Sequence, residues 1–156
     1  SIEQANARIA AVKKKNPYSP IVYYIGAGML TSGFTVFFGG SWLDALAAGV
    51  VGIVMSIIAS LKGPFDQGMM SVIFNAFVAG TLSILFVNIG FGTSLDAILI
   101  GTIMFLIPGF ALGFSVSDMV TGNLLSGIMR FLQSILTAMM IALGYSAALL
   151  LFGGVA

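Results

Sequence analysis

The 156 residues have a mean hydropathy of +1.12, with 59% hydrophobic and 7% charged residues, far from the roughly 25% charged of a soluble domain. Net charge is +1 and the only basic run is Lys13-Lys14-Lys15, so there is no nucleic-acid footprint. With no Cys and no His, disulfides, Cys/His metal sites and His-based acid–base or triad chemistry are excluded, and a non-enzymatic membrane protein without cofactor or metal is expected.

The expected fold is all-α and polytopic, one membrane domain of five spans at about 21–38, 41–61, 69–88, 95–112 and 123–151, behind a polar connector over 1–20. In the connector, Ile2, Ala5, Ile9 and Val12 place a thin apolar stripe on one side of a helix. The same residues read equally well as a solvated tail. Nothing here resembles a secretory signal, and a chain beginning at Ser1 is expected to have lost an upstream region. Asn16-Pro17-Tyr18-Ser19-Pro20 breaks the helix. The first span follows, with Tyr18 and Tyr23 as interface anchors, and Gly39-Gly40 ends it.

Ser41-Trp42-Leu43-Asp44 has the form of a capping box, which starts the second span. After the polar turn at 62–68, the third span carries Asn75 and ends at Gly90-Phe91-Gly92. Thr93-Ser94-Leu95-Asp96 then repeats the capping pattern. An offset of 52 residues aligns Gly28 with Gly80, Phe34 with Phe86, Gly40 with Gly92, Asp44 with Asp96 and Gly49 with Gly101 without a gap. That points to an internal repeat of helical hairpins. Arg8, Lys13 to Lys15, Lys62 and Arg130 all fall on one side if the N-terminus is cytoplasmic.

The fourth span meets Pro108-Gly109, loosens through Gly113, Ser115 and Ser117, carries Asp118, and gives way to a long fifth span that contains Arg130. Pro removes a backbone donor and Gly weakens the helix, so the freed carbonyls must face protein or water, as they would in a cavity. Asp118 and Arg130 flank this region together with Thr121, Asn123, Ser115 and Ser117. One reading is a substrate site, with the Arg130 fork on a carboxylate and Asp118 on an ammonium group or a proton. In the other, Asp118 sits near the start of span five and Arg130 snorkels to the interface. Residues 118–123 also suit a half-helix start whose amides point at an anion. Ser41, Asp44, Thr93 and Asp96 are explained as helix caps, and Asn75, Asn88 and Gln133 either line a path or bond between helices.

Phe105-Leu106-Ile107-Pro108-Gly109, followed by Ser117-Asp118, Gly122, Ser126-Gly127 and Arg130, resembles the membrane domain of the threonine/serine exporter family. Phe38 to Asp44 and Pro17 to Pro20 are similar to it too, while Gly113-Phe114 departs from the family's polar pair. The resemblance implies a multi-pass exporter in a bacterial or archaeal inner membrane. Its cargo would be a small carboxylate metabolite, threonine or serine, or succinate in a two-component branch with a second membrane subunit. A five-span half would need an inverted partner half or another copy to complete an alternating-access transporter. A secondary exporter driven by protons is thus the expected function, with a non-transporting scaffold or a passive channel as the alternatives.

Overall fold

The structure, a computed structural model, describes residues 19–60 and 68–153. The connector, the Lys-rich topology signals, Tyr18 and the turn at 62–67 lie outside the described residues. Among the described residues the chain is helical: α1 Pro20–Phe37, α2 Trp42–Ser60, α3 Met69–Asn88, α4 Leu95–Leu106, α5 Gly109–Val120 and α6 Leu124–Phe152. α1, α2, α3 and α6 are each long and apolar enough to cross a membrane, and α4 with α5 forms a pair bent by 52° at the Ile107-Pro108 break. The protein is therefore a polytopic helical membrane protein of four spans, or five if the bent pair crosses.

Three turns close identically. Amides of Phe38, Gly39 and Gly40 donate to carbonyls of Phe34, Val36 and Thr35; Ile89, Gly90 and Phe91 donate to Leu85, Val87 and Phe86; Thr121, Gly122 and Asn123 donate to Ser117, Met119 and Asp118. Each satisfies terminal carbonyls through a left-handed residue, and Gly39, Gly90 and Gly122 supply it with φ of 88°, 77° and 95°. By this geometry Gly39 corresponds to Gly90, whereas the helix-starting Ser41 corresponds to Ser94, because the second loop is longer. The gapless 52-residue alignment therefore does not describe the two turns.

Helices approach closely where side chains are small, as packing in lipid requires. A Cβ on Gly28 would lie 3.2 Å from the Gly49 carbonyl oxygen, and one on Gly101 would meet Thr35 and, at 2.8 Å, the Thr31 carbonyl. Ser32 Oγ donates to the Ala45 carbonyl at 2.7 Å, joining α1 to α2. Val51, Met55, Ala76, Ala79, Leu99, Ile141 and Tyr145 form the core between α2, α3, α4 and the C-terminal part of α6. Within it Tyr145 Oη donates to Thr102 Oγ1 at 3.0 Å and ties α6 to α4.

Among the described residues α5 stands apart, packing extensively against α6 alone. Gly144 meets Ile73 and Ala76, about one turn into α3 but roughly five turns into α6. The N-terminal part of α6 thus projects on the order of 20 Å past the start of α3, and α5 lies along that projection.

Candidate functional site

The break comes from backbone chemistry. Pro108 cannot donate to Met104, and Ile107, held extended (φ −63°, ψ 128°), ends α4. The chain does not loosen afterwards, as the run of Gly and Ser suggested. α5 is regular from Gly109 to Val120, since an internal Gly costs only about 1 kcal/mol and Ser115 Oγ bonds back to the Leu112 carbonyl at 2.6 Å. The fourth apolar stretch accordingly runs to Val120 instead of 112, and Asp118 belongs to the last turn of α5, not to a half-helix start.

α5 returns along α6 as an antiparallel arm. It closes where Gly127 leaves room for the Ser115 carbonyl and Met119, 2.7 and 2.5 Å from a Cβ built there. Toward the break the two helices part around a cavity of about 400 Å³ lined by Pro108, Ala111, Phe114, Arg130, Gln133, Ser134 and Thr137. Arg130, Gln133, Ser134 and Thr137 recur at the three- and four-residue spacing of one helical face. That spacing was the signal for Ser134 and Thr137, which sequence reasoning missed.

Arg130 is the only Lys or Arg among the described residues. Its Nη1 lies 3.3 Å from Asp118 Oδ2, with both side chains partly exposed. A carboxylate in the last turn of a helix opposes the helix dipole, and the guanidinium offsets this. Ser134 Oγ donates to the Arg130 carbonyl and Thr137 Oγ1 to the Gln133 carbonyl, each at 2.9 Å. With their hydrogens committed, both hydroxyls have only lone pairs left to offer a ligand.

The other candidates lie elsewhere. Ser115 is buried in the α5–α6 contact. Thr121 Oγ1 bonds the Ser117 and Asp118 carbonyls, and Ser117, Thr121 and Asn123 are exposed beyond the cavity. Asn123 precedes α6 without a side-chain capping bond. Asn75 donates to the Ser71 carbonyl at 3.0 Å, its buried Oδ1 has no partner among the described residues, and Asn88 is exposed at the far end of α3.

The two caps also differ. Ser41 and Asp44 form a reciprocal box, with the Ser41 amide 2.8 Å from Asp44 Oδ2 and the Asp44 amide 3.2 Å from Ser41 Oγ. Asp44, fully buried, further accepts from the amides of Thr93 and Ser94 and from the Thr93 hydroxyl, pinning the second turn to the first. At the second turn Ser94, not Thr93, caps the helix, accepting from Ala97 N at 3.4 Å. Asp96 is exposed on the first turn of α4. A single residue of register separates the two sequence patterns from the two bonding patterns.

A comparison with protein families decides the lineage: the family described as "Putative threonine/serine exporter" matches residues 1–152. The chain belongs to the threonine/serine exporter family. It is also 25% identical over 169 residues to Pheromone-regulated membrane protein 10 of Pichia sorbitophila, an alignment covering 99% of this chain and 16% of that relative. The chain thus spans about a sixth of that relative's length. No solved structure matches it. Membership makes it a membrane protein of a transporter family, in agreement with the apolar helices.

Proposed function

We propose that this exporter-family chain binds a small amino acid in the α5–α6 groove, with Arg130 receiving the carboxylate. The observation that carries the reading is the placement of the only described cation on the wall of a 400 Å³ cavity beside a broken span. That volume falls in the range of small-molecule sites, and a planar guanidinium fits a carboxylate in bidentate fashion. The lone pairs of Thr137 and Ser134 and the amide of Gln133 suit an ammonium group. One cation flanked by acceptors favours a zwitterion such as threonine or serine over a dicarboxylate, which would need a second cation.

The reading includes a cytoplasmic N-terminus and proton coupling, with Asp118 as the proton carrier. It also places a second membrane-embedded half against the open side of the groove, because an exposed Gln133 on a membrane helix is costly against lipid. The test is counterflow in proteoliposomes of the full-length protein, with labelled threonine, serine and succinate, at equal and at stepped pH. Wild type should exchange threonine or serine faster than succinate and respond to the pH step. Arg130→Gln should abolish saturable exchange; unchanged exchange would remove Arg130 from the site, and faster succinate exchange would reassign the cargo.

A further inference from the structure

We infer that Asp118 is a built-in competitor for the carboxylate position at Arg130: a cargo carboxylate displaces it and, in doing so, releases the loop end of α5 from α6. The inference rests on the reading of Arg130 as the cargo cation, and it adds a function for Asp118 other than binding ammonium.

Three observations support it. First, the pair joins two helices that are otherwise held at this end by the Ser115/Met119 contact with Gly127 and by the turn at Gly122. Second, the contact is single and long, Nη1 to Oδ2 at 3.3 Å, instead of a two-pronged fork. Such a pair is held by charge and little else, and partly exposed pairs of this kind are weak. Third, Arg130 lines the groove while Asp118 does not. Arg130 therefore stands between two carboxylate positions, one on α5 and one in the cavity.

Asp118 has no other cation to turn to among the described residues, and its place in the last turn of α5 is unfavourable for a negative charge. Once a cargo carboxylate takes the fork, the attraction that draws α5 to α6 is divided between two anions. α5 can then respond, since among the described residues it packs extensively on α6 alone and meets α4 at the break at Ile107-Pro108. Occupancy of the groove and the position of α5 are thereby linked through one side chain, and the linkage is reciprocal.

The experiment measures binding and exchange separately on full-length protein, with L-threonine and L-serine as the probes. Asp118→Asn and Asp118→Ser remove the competing charge and keep a polar side chain. If Asp118 competes, each binds the probe at least fivefold more tightly than wild type by calorimetry, while exchange in proteoliposomes slows because release is no longer assisted. Asp118→Glu, which keeps the charge, should bind within twofold of wild type. Binding by Asp118→Asn or Asp118→Ser that is equal to or weaker than wild type would overturn the inference, and so would failure of both to fold, since that would make the pair a clamp the fold depends on. Arg130→Gln separates the two levels. If it binds as wild type does, the cargo reading itself fails; if it loses binding while the Asp118 variants bind no more tightly, only the competitor role fails.

Discussion

Asp44 and Arg130 show two ways a charge is accommodated at the residue scale in this protein. Asp44 is fully buried and accepts from the amides of Ser41, Thr93 and Ser94 as well as from two hydroxyls. Asp44→Ala leaves three backbone donors without an acceptor, and orphaned donors cost about 1–3 kcal/mol each before water replaces the lost bonds. With water able to reach the exposed parts of the turns, a loss of about 3 kcal/mol is expected. Asp96→Ala, exposed on its helix, should stay within about 0.5 kcal/mol of wild type. Unfolding in detergent compares the two directly, and equal stability would refute the pinning role of Asp44. If Arg130 receives the cargo carboxylate as proposed, its fork matters besides the charge. Arg130→Lys keeps a cation but not two parallel donors, so cargo affinity should fall about tenfold, with near-normal binding excluding bidentate recognition.

At the scale of helices, glycines separate into those at contacts and those in the open. A Cβ on Gly101 would press on Thr35 and on the Thr31 carbonyl, backbone that cannot give way without moving α1 from α4. Gly113 on α5 has nothing within 4 Å of that position. Gly101→Ala should therefore destabilise by about 1–3 kcal/mol, while Gly113→Ala should stabilise by about 0.5–1 kcal/mol through helix propensity alone. Melting temperatures moving in the same direction would contradict this packing. The difference is hard to see in the sequence, where both are glycines in apolar helices.

Other elements were legible because local chemistry decides them. Apolar length set the spans, Pro108 set the break, and the turn glycines marked where left-handed backbone closes a helix. What stayed hidden depended on tertiary register. Thr93-Ser94-Leu95-Asp96 has the letters of a capping box, yet Thr93 is drawn away to Asp44, so Ser94 becomes the cap. The polar face from Arg130 to Thr137 could be read from spacing, but that α5 returns along it depends on contacts between helices far from the loop.

For the whole molecule, the bent pair decides the topology. The turns at Ser41 and Thr93 share one end, since their hydroxyls lie 3.3 Å apart. α4 leaves that end and reaches the level of Tyr23 and Gly26 near the start of α1, where Phe105 packs. α5 continues outward from there, so the turn around Thr121 lies at the opposite end, beyond the bundle. Because α4 has 12 residues, about 18 Å of helix, it does not span the roughly 30 Å hydrocarbon core unaided. If α5 supplies the rest of the crossing, the break sits within the membrane, close to one face. The sequence has no cysteine, so single cysteines report this cleanly once any elsewhere in the full-length protein are replaced. Cysteines at Ser41 and Thr93 should react with an impermeant maleimide from one side of oriented vesicles, and one at Thr121 only from the other. Labelling of all three from one side would make the pair a re-entrant loop. It would also overturn the path that carries α5 away from the end where the Asp44 turns lie.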